Sequence, residues 1–211
     1  MFQILQSALF RDLPTEHIEQ FFGVIERAEY EPGQSVVEQG EPGDYFYMIA
    51  QGECEVMRNV NGLAFPIATL EPGESFGEEA LISGMPRNAT VRTKTEAVLM
   101  RLTKANFDAL LQIPTVKSVK AAEAAPLIQQ GACTILDVRM ESEHGARSIR
   151  NSINMPLYRV RSEFESLDPE KPVITFCDCG ERSKVAAFLL CQRGIDARFL
   201  EGGLAALGGA G

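Results

Sequence analysis

The sequence predicts two domains of different class: a β-sandwich or barrel, then an α/β unit with a mostly parallel sheet. Three observations carry this. The tripeptide Glu-Pro-Gly punctuates the first half three times, at 31–33, 41–43 and 71–73, between short β-branched or aromatic runs. The second half alternates helical stretches with continuous apolar runs, the pattern of strands covered on both faces. Charge changes at the same place: residues 1–113 carry the whole formal charge of −9, and residues 114–211 are neutral. The expected domains are therefore 1–113 and 114–211. They part near Ile113-Pro114-Thr115, where proline resists continuation of the preceding helix.

The elements follow in order. Ile18, Phe21, Phe22 and Ile25 recur at helical spacing and predict a helix before the strands. Strands are expected at Ser35 to Val37, Tyr45 to Ile49, Glu53 to Arg58, Phe65 to Leu70, Ala89 to Thr93 and Ala97 to Leu102. In each Glu-Pro-Gly, proline presets φ and glycine supplies the positive φ of a type II turn. A helix from Lys104 to Gln112 closes this half. The second half predicts a helix near Val119 to Gln130 and a strand from Thr134 to Val138. A further strand, Val173 to Phe176, runs straight into Cys177. A helix from Ser183 to Gln192 is closed by Gly194, and a strand from Ala197 to Leu200 follows. The glycine-rich stretch Gly208 to Gly211 ends the chain.

Composition excludes several classes. With 45% hydrophobic and 23% charged residues in 211, the chain can bury real cores. No apolar run approaches the roughly 18 to 20 residues that span a bilayer, and Met1 to Leu5 lacks the marks of a secretory signal. Five irregularly spaced cysteines argue for a reducing, cytoplasmic setting and against a disulfide framework. The acidic balance argues against nucleic acid as a partner, and no membrane partner is expected.

Two segments carry chemistry. In Ser75 to Val91, Gly77 permits close approach to the main chain, and Glu78 to Ser83 can form a short helix whose N-terminus favours an anion. Arg87 can add a charge-assisted contact to a phosphate, and Glu78 can accept from a sugar hydroxyl. On the residues alone, an ordinary surface turn and helix stands level with this reading. The second segment is Cys177-Asp178-Cys179-Gly180-Glu181-Arg182-Ser183, between an apolar strand and a helix. Loop N–H groups and the helix dipole there favour a nucleophilic thiolate, and Arg182 can hold an oxyanion. The bland alternative, a buried inert thiol, is the expectation for Cys54, Cys133 and Cys191. Cys179 is either a tolerated loop residue or a resolving thiol, and the strain of a Cys-x-Cys ring favours the former.

The first segment resembles the phosphate-binding cassette of the cyclic nucleotide-binding domain. It matches Phe-Gly-Glu-x-Ala-Leu, four spacers and Pro-Arg-x-Ala-Thr at every fixed position. The nine-residue step from Glu78 to Arg87 equals that of the kinase regulatory subunits, and Leu9-Phe10, Glu41 to Asp44, Tyr47 and Gly52 extend the likeness over about residues 5–112. The resemblance implies a jelly-roll-like β-roll with flanking helices, Glu78 on the ribose and Arg87 on the cyclic phosphate of cAMP or cGMP. Main-chain groups of Gly77, Ala80, Asn88 and Ala89 would complete the cradle. Asn88 departs from the residue usual in either cAMP or cGMP sites, so the base is left open.

Residues from about 115 to 211 resemble the rhodanese (sulfurtransferase) domain. The signatures are Leu136-Asp137-Val138-Arg139, Ile153-Asn154-Met155-Pro156, Cys177-x-x-Gly180-x-Arg182-Ser183 and Leu200-Glu201-Gly202-Gly203. This implies a Cys177 persulfide as carrier of sulfane sulfur, with Arg182 beside it and Asp137 and Arg139 in support. The six residues from Cys177 through Arg182 match the sulfur-transfer loop rather than the longer phosphatase loop. Arg147-Ser148 replace a frequent Gly-His, with Arg147 read as a solvated loop residue and His144 as a surface residue on a short turn.

Together the resemblances imply a cytoplasmic, bacterial-type cyclic nucleotide sensor with a rhodanese-like sulfurtransferase output. The alternative is a non-enzymatic binding or persulfide-carrier module under the same control. No metal and no covalent cofactor is expected. Partners are a cyclic nucleotide, a small sulfur donor such as thiosulfate, a thiol or protein persulfide acceptor, and a second copy in a homodimer. The short connection near Pro114 leaves no room for an independent helix over the base. The second domain is the expected cover, through residues 114–130.

Overall fold

A computed structural model describes residues 15–112 and 116–207. Leu9-Phe10, the Ile113-Pro114-Thr115 boundary and the 208–211 tail lie outside the described residues. The chain folds as two compact units that part between Leu111 and Gln112.

In the first unit, α1 (Thr15–Val24) leads into β1 (Glu26–Tyr30), β2 (Ser35–Val37), β3 (Tyr45–Gln51), β4 (Cys54–Val60), β5 (Leu63–Leu70) and β6 (Ser75–Phe76). The short α2 (Glu78–Ser83) precedes β7 (Thr90–Thr93) and β8 (Ala97–Thr103). α3 (Lys104–Phe107), extended by a wider turn through Gln112, closes the unit. The strands form two antiparallel four-stranded sheets, ordered β1-β8-β3-β6 and β2-β7-β4-β5. Val37, Tyr47, Ile49, Cys54, Leu70, Phe76, Val91 and Leu99 fill the space between them. β3 is apolar on both faces for a reason: Tyr47 stacks on Phe76 at 4.9 Å, while Phe46 packs on Phe107 of α3 at 4.8 Å.

Two strands of this unit escape the sequence reading. β1 is charged rather than apolar, and is defined by its antiparallel pairing with β8, reinforced by an Arg101–Glu26 ion pair at 2.8 Å. β6 is two residues long and exists through its pairing with β3. The turns are also corrected in one place. Gly33 and Gly73 have the expected positive φ, but Gly43 does not; Gly40 carries it instead. Space explains a glycine at 43, since a Cβ there would meet the Ala80 Cβ at 2.8 Å.

The second unit runs β9 (Lys117–Val119), α4 (Ala121–Gln129), β10 (Thr134–Asp137), α5 (Glu141–Ala146), β11 (Ile153–Asn154) and α6 (Leu157–Glu163). β12 (Val173–Phe176), α7 (Glu181–Cys191), β13 (Ala197–Leu200) and α8 (Gly203–Ala206) complete it. Val119 therefore ends a strand and does not open a helix as expected. The five strands lie in the order β11-β10-β12-β13-β9, and every pair is parallel. β10 continues to β11 on one side, and β12 to β13 on the other. Adjacent strands whose connections leave in opposite directions open a crevice at their carboxyl ends. Cys177 follows β12 there. α7 is buried nearly all round, through Ser183 and Val185 to Leu190, as befits a helix at the centre of a domain. Gly194 (φ 82) ends it as foreseen: its N–H bonds the Cys191 carbonyl, and the Ile195 N–H bonds that of Leu190.

No helix among the described residues is long and apolar enough to cross a membrane. No group of three or more His, Cys, Asp or Glu side chains among them is placed to hold a metal.

Candidate functional sites

In the first unit, the turn after β6 and the start of α2 hold Gly77, Glu78 and Ala80. Arg87, Asn88 and Ala89 return alongside before β7. Gly77 has φ 94, and a Cβ on it would lie 2.8 Å from Arg87 Nη1. The missing side chain is thus what lets the guanidinium lie against the main chain. Arg87 donates from Nη1 to the Gly77 carbonyl at 2.8 Å, and from Nη2 to the Tyr45 carbonyl at 2.8 Å and Asp44 Oδ1 at 3.0 Å. Its side chain is 3% exposed, whereas that of Asp44 is 66% exposed. Glu78 and Ala89 are buried, and the Asn88 side-chain amide donates to Glu79. The fold therefore brings Gly77, Glu78 and Arg87 together. Asp44, a partner of Arg87, has no role that the sequence motif assigns; a separation of 43 residues hides it from any local pattern.

In the second unit, Cys177 is 1% exposed. The Gly180 N–H donates to its Sγ at 3.2 Å, and Ser183 Oγ lies 3.6 Å from that sulfur while donating to the Gly180 carbonyl at 2.9 Å. Gly202 and Gly203 explain the last signature. The Leu204 N–H bonds the Cys177 carbonyl at 2.8 Å, and the Ala205 N–H bonds that of Asp178 at 3.0 Å. A Cβ on Gly203 (φ 56) would stand 2.2 Å from the Cys177 carbonyl oxygen, so this turn seats the loop from below.

Parallel pairing sets Asp137 of β10 opposite Phe176 of β12, which delivers Asp137 and Arg139 to the loop. Asp137 is fully buried and accepts from Arg139 Nε at 2.9 Å and Nη2 at 2.7 Å, and from Ser148 Oγ at 3.0 Å. His144 Nδ1 lies 2.9 Å from the same carboxylate. Burial works against ionisation of Asp137, but the hydrogen bonds from Arg139, His144 and Ser148 prevail and hold its carboxyl below the usual range. His144 is therefore not a surface bystander; it sits on α5, and with Ser148 four residues on it converges on Asp137. Arg147 is exposed, as expected.

Arg182 lies within electrostatic reach of Cys177 and is itself paired with carboxylates. It donates to both carboxylate oxygens of Glu143, at 2.7 and 2.9 Å, and to Asp178 Oδ2 at 2.8 Å. Those Glu143 bonds, helped by the Met140 N–H, push the Glu143 carboxyl down to about 2. Arg139 meets Asp178 from the other side, Nη1 to Oδ1 at 3.0 Å. Among the other cysteines, burial pushes the Cys54 thiol up to about 11 and raises that of Cys133, in keeping with inert core thiols. Cys179 is exposed.

Comparison with known proteins agrees with both halves. The family model for the cyclic nucleotide-binding domain matches residues 27–113, and that for the rhodanese-like domain matches residues 120–210. A cAMP-dependent protein kinase regulatory subunit of Yarrowia lipolytica is 44% identical over 81 residues, 38% of this chain and 21% of that protein. One from Dictyostelium discoideum is 36% identical over 129 residues, 57% and 39% respectively. The chain thus spans well under half the length of these relatives. Among solved structures, the regulatory domain of Toxoplasma gondii PKA, co-crystallised with cAMP, is similar at a TM-score of 0.50 and 25% identity, covering 52% of this chain and 42% of that one. Two families thus match the chain in turn: the cyclic nucleotide-binding domain over residues 27–113, followed by the rhodanese-like domain over residues 120–210.

Proposed function

We propose that the protein is a cyclic nucleotide receptor whose second domain carries sulfane sulfur as a persulfide on Cys177. In the first domain, the cyclic phosphate of cAMP or cGMP sits against Arg87 and the main chain of Gly77, Ala80, Asn88 and Ala89. Glu78 receives the ribose hydroxyl. The relatives, as kinase regulatory subunits named for cAMP, support this ligand class. A buried guanidinium already oriented by carbonyls costs little reorganisation when an anion arrives.

In the second domain, the observation that carries the reading is the Gly180 N–H aimed at Cys177 Sγ from a loop seated on Gly203. The N–H that faces this sulfur can hold the terminal sulfur of a persulfide. Asp137 and Arg139 act as positioning residues for the loop, and Arg182 braces it through Glu143 and Asp178.

The experiment is mass spectrometry of the full chain after treatment with a sulfane sulfur donor. One added sulfur on the Cys177 peptide, absent in Cys177→Ser, supports the carrier function; no addition, or addition on Cys179 alone, overturns it. The pairing of Arg182 with Glu143 and Asp178 favours a second reading, a carrier domain without thiosulfate turnover. Release of thiocyanate from cyanide and thiosulfate separates that from a sulfurtransferase.

A further inference from the structure

Six charged side chains lie in the Cys177 loop, bond to it, or, as Asp137 does through Arg139, hold one that bonds to it; Lys184 follows on the first turn of α7. Asp137, Glu143, Asp178 and Glu181 are acidic, and Arg139 and Arg182 are basic, so carboxylates outnumber guanidiniums by two. Both guanidiniums are engaged. Arg139 gives Nε and Nη2 to Asp137 and Nη1 to Asp178. Arg182 gives both terminal nitrogens to Glu143 and shares one with Asp178. Asp178 bridges the two arginines with separate oxygens and stands exposed immediately after the nucleophile. Arg147 is exposed, and meets this cluster through its backbone carbonyl, which accepts from Arg139.

We propose that Asp178 and Glu143 make the loop select against dianionic sulfur donors, so that Cys177 takes its sulfur from an organic persulfide and reacts poorly with thiosulfate. This rests on the carrier function proposed above and names its donor class. With thiosulfate, the Cys177 thiolate attacks the outer sulfur. A new S–S bond forms, the old one breaks, and its electron pair leaves with sulfite dianion. The approach brings a thiolate and a dianion together beside carboxylates that already pair with both arginines. With R–S–SH, the same attack on the outer sulfur gives Cys177–S–SH and releases R–S⁻, and the incoming group carries at most one negative charge. Like charges focused in a cleft lower encounter rates, and salt screens that repulsion.

The test uses the full chain and two probes, thiosulfate and the persulfide of 2-mercaptoethanol. Second-order rates of Cys177 persulfidation are followed by mass spectrometry in wild type, Asp178→Asn and Glu143→Gln, at low and high sodium chloride. In wild type the thiosulfate rate should rise with salt. Asp178→Asn should raise the thiosulfate-to-persulfide rate ratio about tenfold, the lower end of what local charge does to encounter rates, and Glu143→Gln should move it the same way. A donor ratio is insensitive to a loop that is merely loosened, and the wild-type salt slope needs no variant. A thiosulfate rate that falls or stays flat with salt, or a ratio unmoved by both variants, overturns the selectivity. Persulfide from neither donor overturns the carrier function itself, and this inference with it.

Discussion

Arg182 and Glu143, 39 residues apart, form a two-pronged ion pair at 2.7 and 2.9 Å that ties α5 to the first turn of α7. Glu143 also accepts from the Met140 N–H at 2.7 Å, so one carboxylate caps a helix and braces the cysteine loop.

That pair predicts an acid limb of stability. The Glu143 carboxyl is held at about 2 against an ordinary 4.5, chiefly by Arg182. It therefore binds fewer protons folded than unfolded. Its contribution is full above about 4.5 and is lost as pH falls towards about 2. Asp137, also held low, acts in the same direction. Glu143→Gln should flatten the fall in denaturant stability between about pH 6 and about pH 3. The same slope in variant and wild type would show that the pair contributes nothing.

Gly203→Ala should be the most damaging single methyl in the second domain. It combines a positive φ with a contact of 2.2 Å to the Cys177 carbonyl oxygen. A loss of about 2 to 4 kcal/mol is expected for strain and overlap of this kind, with Cys177 persulfidation reduced beyond what the lowered melting temperature explains. Wild-type behaviour by thermal melt and mass spectrometry would mean that the loop is not seated on this turn.

Thiol labelling separates the two loop cysteines. Dipole arguments alone make Cys177 the most reactive thiol, but it is 1% exposed while Cys179 is exposed. Bulky maleimides should therefore label Cys179 first, and a small sulfur donor should still modify Cys177. Maleimide on Cys177 ahead of Cys179, located by peptide mapping, would contradict the buried placement.

These contrasts show what a linear reading can reach. Local signals carried the architecture: Gly77 and Arg87 lie within one segment, and Cys177 and Ser183 within another. Strands with apolar faces were legible, whereas β1 was not, because its charged side chains sit on an edge strand and only β8 makes it a strand. The partners of the functional arginines were equally hidden. Asp44 reaches Arg87 across 43 positions and Glu143 reaches Arg182 across 39, so nothing in either segment shows that its cation is already paired. His144 lies only seven residues from Asp137, but an intervening turn and the entry to α5 had to be folded before the two met.

Glu78→Ala should weaken binding of cAMP or cGMP less than loss of Arg87 does, and should narrow the preference for ribo- over 2′-deoxy-nucleotides. Competition against a fluorescent cyclic nucleotide reads both. A preference for the ribose form that survives intact would remove Glu78 from the sugar contact.

Calorimetric titration of the full chain with cAMP and with cGMP tests the receptor function most directly. Saturable binding of at least one nucleotide is predicted at one site per chain. Arg87→Ala, still folded by thermal melt, should lose about 2 to 4 kcal/mol of that affinity, the cost of removing one partner of a desolvated charge pair. No heat and no thermal stabilisation with either nucleotide, or equal affinity in Arg87→Ala, would contradict it.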